Sequence, residues 1–268
     1  MSDEVPRIAV VTGGASGIGR AATLRLIADG WSVVVGDLDP GAAAGTLAAA
    51  GSAAGERIAF VRADVADESQ VEALVAAATE RFGGLGAMVN NAGSPGAFGR
   101  ITDIDVADWD RTFAVLVRGV FLGIKHAARA FAAAGHGGSI VNVASVAGLS
   151  GGVGPQAYSA SKAAVISLTQ TTSVELAAGR VRVNAVAPGP VLTPILRDAS
   201  GGLERAEELL TKTQPWPEAG RAEDVAGAIA FLVGPDAAFV TGHTLVVDGG
   251  QTAAGAREPN QRLRRALS

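Results

Sequence analysis

Residues 12–19 read Thr12-Gly13-Gly14-Ala15-Ser16-Gly17-Ile18-Gly19. They lie between a short β-branched run at residues 7–11 and a helical pattern that continues to about Asp29. The run predicts a buried strand. Strand, glycine-rich turn and helix together form the context of a dinucleotide site. The glycines let the backbone approach a pyrophosphate, and the helix N-terminus offers free N–H groups and a partial positive charge. The spacing is G-x-x-x-G-x-G, and no Gly-Lys-Ser/Thr follows, so a nucleoside-triphosphate loop is not indicated.

The alternation continues along the chain. A strand at residues 32–36 ends in Asp37, eighteen residues after Gly19. An acidic residue about twenty residues past such glycines accepts from a ribose 2′-OH and repels a 2′-phosphate, which predicts NAD over NADP. Asp39 precedes Pro40 and an alanine-rich stretch and reads as a helix N-cap. A third strand is expected at residues 58–62 and a helix at 68–82, with Val71, Leu74, Val75 and Ala78 on one face. A fourth strand begins at residues 87–89 and runs into Asn90-Asn91-Ala92-Gly93, whose asparagines can bond across backbones and line a cleft. Residues 105–134 predict one helix of about eight turns. Its stripe of Val106, Phe113, Val117, Val120, Phe121 and Ile124 is wide enough to suggest cover on more than one side by another subunit.

Strands at residues 139–144, 182–186 and 244–247, with helices at 158–176 and 222–232, complete the pattern. It predicts an α/β fold: a single-domain, Rossmann-type, doubly wound parallel sheet of about seven strands over residues 1–252, with helices on both faces.

Ser145 follows the fifth strand, at the sheet edge where open α/β folds place ligands. Tyr158 and Lys162 are four apart and share a helix face. A phenol titrates near 10 and is a weak acid or base at neutral pH. A neighbouring cation favours the phenolate, so Lys162 is expected to lower the tyrosine's pKa. A hydroxyl at Ser145 can hold a substrate oxygen while Tyr158 passes it a proton.

A lone Y-x-x-x-K is common on helix surfaces, but five motifs occur here in order. They are the glycine turn, Asp64, Asn-Asn-Ala-Gly, Ser145 with Tyr158-Ser-Ala-Ser-Lys162, and Pro188-Gly189. From about residue 7 to residue 250 the chain resembles the short-chain dehydrogenase/reductase family. The resemblance implies that Ser145, Tyr158 and Lys162 are catalytic, with Lys162 also bonding the nicotinamide ribose. It implies cofactor contacts at Gly13, Ser16, Gly17, Ile18, Gly19 and Asp37, at Asp64 and the Val65 backbone beside the adenine, and at Asn91, Ala92 and Gly93 beside the ribose. Pro188, Gly189, Val191 and Thr193 would cradle the nicotinamide end. It also implies a homotetramer. One position departs from the family pattern: an asparagine that helps relay protons to the lysine is replaced by Leu116, seven residues after Trp109. Proton exchange is therefore expected to be slowed.

Residues 192–215 predict an irregular helical flap containing Leu192, Ile195, Leu196, Leu209, Leu210 and Trp216 just beyond it. An apolar lid there would exclude water from the nicotinamide. Phe98, Leu149, Val153 and Gln156 from neighbouring loops, with Leu192 and Leu196, suggest a mostly apolar pocket for a neutral secondary alcohol or ketone.

Other classes find little support. A net charge of −4 gives no broad field for nucleic acid or an anionic membrane. With no cysteine, disulfides and thiolate metal sites are ruled out. His126, His136 and His243 share no metal-ligand spacing, and Ser145 lacks a G-x-S-x-G elbow. The acidic start lacks the apolar core of a signal peptide, and no run approaches the roughly 18 apolar residues of a spanning helix, so a cytoplasmic protein is expected. Residues 253–268 form a basic tail with Arg257, Arg262, Arg264 and Arg265 against Glu258. The expected activity is NAD-dependent alcohol oxidation or ketone reduction. An NADP-preferring carbonyl reductase and a non-catalytic NAD-binding scaffold are the alternatives.

Overall fold

The structure is a computed structural model that describes residues 5–194, 196 and 201–254. Strand β1 (Ile8–Thr12) is buried along its whole length. Such continuous apolar runs belong to parallel strands covered on both faces. Helix α1 (Gly17–Ala28) returns the chain to β2 (Ser32–Asp37). Helix α2 (Pro40–Ala54) follows, and the Asp39 carboxylate accepts from Gly41 N and Ala42 N as its cap. Strand β3 (Ile58–Arg62), helix α3 (Glu68–Phe82) and β4 (Ala87–Asn90) continue the alternation.

The expected helix over residues 105–134 is interrupted. Helix α4 (Val106–Phe113) passes through a π-helical turn at Ala114–Arg118 before α5 (Gly119–Ala134). The apolar stripe also divides: Val120 and Ile124 are buried against the sheet, whereas Val106 and Phe121 are exposed. The extra residue in the π-turn shifts the helix phase, so one continuous stripe cannot face the sheet throughout.

Strand β5 (Gly138–Val143), helix α6 (Gln156–Leu176) and β6 (Val181–Pro188) follow. A short pair, β7 (Val191–Leu192) with β8 (Gly220–Arg221), flanks helix α7 (Leu203–Thr213). Helix α8 (Ala222–Val233) and β9 (Thr244–Val247) close the chain. Of the expected flap, Ile195 lies outside the described residues, as do the arginines of the tail. Among the described residues no helix is long and apolar enough to cross a membrane.

The main sheet has seven parallel strands in the order β3-β2-β1-β4-β5-β6-β9. Two apolar layers cover it. On one face Leu26 of α1 and Val225 and Ile229 of α8 pack on Val11, Val35 and Val89. On the other, Leu74 of α3, Phe131 of α5 and Val165 of α6 pack on Val10, Met88 and Ile140. The strand order turns between β1 and β4, so a crevice opens at their C-terminal ends.

Candidate active site

A cleft of about 790 Å³ runs along that sheet edge. Its floor is the turn between β1 and α1. Gly13 has φ +64°, and a Cβ there would lie 2.8 Å from Ala92 Cα. Gly19 does not line the cleft; a Cβ on it would lie 2.0 Å from Gly13 O, so it is the close approach that lets α1 sit on the turn. The N-cap Ser16 makes no side-chain cap hydrogen bond, which leaves the first N–H groups of α1 without a cap at the cleft. The turn is clamped from β4: Asn91 Nδ2 donates to Thr12 O at 2.9 Å and Gly13 O at 3.2 Å, while Thr12 Oγ1 accepts from Asn91 N and Ala92 N. This cradle of backbone N–H groups, with no side chain filling it, fits a dinucleotide pyrophosphate.

Asp37 stands at one end of the cleft. Its carboxylate accepts from Ala15 N at 3.0 Å and Asp39 N at 3.1 Å, which holds it in place. Asp64 and Val65 line the same end, and Asp64 Oδ1 accepts from Ala66 N. Leu38, half exposed beside Asp37, also lines the cleft and was missed from sequence; an apolar residue directly after a strand-ending acid was its only signal.

Ser145, Tyr158 and Lys162 meet at the other end. Ser145 caps a short 3₁₀ turn, accepting from Ala147 N at 3.1 Å, and its hydroxyl donates to Pro188 O at 3.5 Å. Lys162 is buried, with Nζ 5.6 Å from the Tyr158 ring centroid. The ammonium donates to Val143 O, at the end of β5, at 2.6 Å. Burial lowers the Lys162 pKa to about 8. The Tyr158 pKa is raised, not lowered as expected from the sequence. Burial is the larger influence, and hydrogen bonding by the Ser145 hydroxyl opposes it. Burial outweighs that hydrogen bond, so the protein by itself holds the phenol protonated at neutral pH.

A buried polar chain fixes α6 against the sheet beneath this set. Asn90 Nδ2 donates to Asn142 Oδ1 at 2.8 Å, and Asn142 Nδ2 donates to Thr169 Oγ1 at 2.9 Å. It joins β4, β5 and the helix that carries Tyr158 and Lys162. The sequence leads one to expect Asn90 to bond across the backbone; its side-chain partners are not foreseen there, because the members of the chain are 52 and 27 residues apart.

Ser16, Gly17, Ile18, Asn91, Ala92 and Gly93 all line the cleft, as do Pro188, Gly189, Val191 and Thr193. Thr193 stands across from the glycine turn, its methyl 3.6 Å from where a Cβ on Gly17 would lie. Of the six expected pocket residues, Phe98, Val153 and Leu196 line the cleft, together with Ser94, Pro95 and Val115. Leu149, Gln156 and Leu192 do not. Leu149 points out from the end of the 3₁₀ turn and is 45% exposed; Gln156 is exposed at the start of α6; Leu192 pairs with Arg221 in the small sheet. Leu116 lies inside the π-turn, 1% exposed.

The family model described as enoyl-(acyl carrier protein) reductase matches residues 13–252. A cis-4-hydroxycyclohexanecarboxylate dehydrogenase of Sinomonas cyclohexanicum is 45% identical over 248 residues, covering 92% of this chain and 97% of its own. A levodione reductase of Leifsonia aquatica is 36% identical over 254 residues, covering 92% of this chain and 95% of its own. A crystal structure of levodione reductase superposes with a TM-score of 0.87 at 34% identity, covering 94% of this chain and all of that one.

Proposed function

The chain belongs to the short-chain dehydrogenase/reductase family, and from that membership we propose an NAD-dependent oxidoreductase that interconverts a secondary alcohol and its ketone. The observation that carries this reading is the meeting of Ser145 and Tyr158 above buried Lys162 in the same cleft as the glycine turn.

The start of α1 would hold the pyrophosphate, Asp37 the adenosine ribose, and Asp64 and Val65 the adenine. Asn91 to Gly93, Tyr158 and Lys162 would bound the nicotinamide ribose, and Pro188 to Thr193 the nicotinamide. When bound, the nicotinamide supplies the acceptor or donor of hydride, and its oxidised ring brings a positive charge into the cleft. Ser145 orients the substrate oxygen by hydrogen bonding. In oxidation, Tyr158 as phenolate takes the hydroxyl proton as the C–H bond gives up hydride; in reduction, the phenol returns that proton to the carbonyl oxygen. Lys162, anchored on Val143 O, places a positive charge beside the tyrosine.

Asp37 supports NAD over NADP, because a fixed carboxylate repels a 2′-phosphate. The uncharged lining by Phe98, Val115, Val153 and Leu196 supports a neutral substrate. The hydroxycyclohexanecarboxylate in the name of the Sinomonas relative suggests an alicyclic alcohol. A homotetramer is proposed as well, supported by the exposed apolar side chains of Phe121, Val174 and Phe239; light scattering of the purified protein tests it.

Leu116 favours a second reading, a scaffold that binds NAD without turnover, since no polar group stands at that position. Assay of NAD reduction over a panel of secondary alcohols, with Tyr158→Phe as control, separates the two: turnover that needs the phenol supports the enzyme, and bound NAD without turnover supports the scaffold.

A further inference from the structure

Helix α2 is tied to the glycine turn by one hydroxyl. Thr46 is fully buried in the middle of this alanine-rich helix. A threonine or serine inside a helix commonly returns its hydroxyl to the carbonyl four residues back. Ser161, Thr169 and Thr172 do so in this chain, at 2.8, 2.8 and 2.7 Å. Thr46 departs from that habit: its Oγ1 stands 3.5 Å from Ala42 O and donates instead to Ala15 O, in the glycine turn, at 3.0 Å.

Ala15 is itself buried, and its N–H donates to Asp37 Oδ2 at 3.0 Å. The bonded N–H and C=O flank the Ala15 Cα, so together they restrict both of its soft dihedrals. The other carboxylate oxygen, Asp37 Oδ1, accepts from Asp39 N at 3.1 Å, and Asp39 Oδ1 caps α2 by accepting from Gly41 N and Ala42 N. The hydrogen bonds close a ring: Asp37 to Asp39, Asp39 to the start of α2, Thr46 of α2 to Ala15, and Ala15 back to Asp37. Asp37 lines the nucleotide cleft; Thr46 does not.

We propose that Thr46 is a positioning residue for cofactor selection. By holding the Ala15 carbonyl, it keeps the Ala15 N–H on Asp37 and so fixes the carboxylate where a ribose 2′-OH is accepted and a 2′-phosphate repelled. Thr46 acts only through Asp37, so its role rests on Asp37 meeting the adenosine ribose. Fixing the carboxylate before the nucleotide arrives spares the cost of ordering it on binding. Without the hydroxyl the turn relaxes, the carboxylate gains a second position, and a 2′-phosphate meets less repulsion.

Calorimetric titration with NAD and with NADP, no substrate present, tests this on wild type, Thr46→Val, Thr46→Ser, Asp37→Ser and the double variant of valine with Asp37→Ser. Thr46→Val should bind NAD about fivefold more weakly than wild type and NADP no more weakly. Thr46→Ser keeps the hydroxyl and should restore most of the preference for NAD. In the Asp37→Ser background the valine should leave the ratio of affinities unmoved, because the carboxylate it acts through is gone. Steady-state kinetics should place the change in the KM for NAD, with kcat within about twofold of wild type. Thr46→Ala, which suits the helix, gives the same reading if the valine variant does not fold.

An equal loss of affinity for both nucleotides, a failure of serine to rescue, or a valine effect that survives in Asp37→Ser would overturn the proposal. A ratio that moves in Asp37→Ser but not in a folded Thr46→Val or Thr46→Ala protein would overturn the role of Thr46 alone. A ratio unmoved in Asp37→Ser would overturn it together with the reading of Asp37.

Discussion

Lys162 Nζ donates to the carbonyl of Val143 at 2.6 Å, so this buried ammonium is anchored to the end of strand β5. The strand that presents Ser145 therefore also fixes the lysine, and α6 cannot slide along the sheet without breaking that bond. The cost is a charge out of water, and the pKa of Lys162 falls to about 8 from an ordinary 10.5.

That shift has a definite sign in stability. Between pH 8 and 10.5 the unfolded chain binds more protons at this residue than the folded one, so stability rises with pH across the window. Below it, burying the charged form costs on the order of 3 kcal/mol. Lys162→Met removes that cost but leaves Val143 O unpaired, a loss of about 1–3 kcal/mol. The variant should be close to wild type in stability near neutral pH and fall behind it by roughly 2–3 kcal/mol more near pH 10. Urea unfolding at the two pH values measures this; a pH-independent difference would contradict it.

The Tyr158 phenol is pushed up by burial. Ketone reduction, which needs the protonated form, should then keep its rate through neutral pH. Alcohol oxidation needs the phenolate, so its kcat/KM should climb by up to about tenfold per pH unit below the tyrosine's pKa. Profiles in both directions on one substrate pair check the sign. An oxidation rate flat with pH from acid to alkaline conditions would mean that the phenol is not the group titrating.

Much of this was legible because the chain alternates between two clear periods. Strands β2, β3 and β9 and helix α3 lie where their apolar runs placed them, since Asp37, Arg62, Asp67 and Gly83 punctuate the runs. The glycine turn and the Tyr–Lys spacing were readable for the same reason: each is local. What escaped was non-local or energetic. The π-turn at Ala114–Arg118 keeps a helical pattern while shifting its phase. The Asn90–Asn142–Thr169 chain joins residues that only the sheet order brings together. The direction of the tyrosine's shift depended on how deeply the phenol is buried, which its spacing from Lys162 cannot specify. Leu149 and Gln156 have the right sequence neighbours but turn away from the cleft.

Asp37 is held by two backbone N–H groups, so its carboxylate cannot swing away from a 2′-phosphate. Wild type should prefer NAD by at least about 100-fold in kcat/KM, and Asp37→Ser should raise the NADP-to-NAD ratio by roughly 10–100-fold. A cofactor titration of both proteins measures the ratio. No change in the variant would remove Asp37 from the selection.

Leu116 is buried within the π-turn, and Gly93, which lines the cleft, packs against it. Leu116→Asn should raise turnover several-fold if the missing polar group limits proton exchange, while lowering stability by about 1–3 kcal/mol as an amide replaces buried hydrocarbon. Steady-state turnover and a thermal melt together separate the two effects. An unchanged or lower rate in a folded variant would count against the relay.

The central claim is that the Tyr158 phenol moves the proton while NAD is bound in the neighbouring cleft. The most direct measurement is NADH formation by wild type and Tyr158→Phe on a panel of alicyclic secondary alcohols, with NAD affinity determined for each protein by calorimetry. The account predicts turnover by wild type and a loss of about a thousandfold in the variant, with NAD affinity within a few-fold of wild type. Equal turnover by the two proteins, or NAD bound by wild type with no product from any alcohol or ketone, would contradict it.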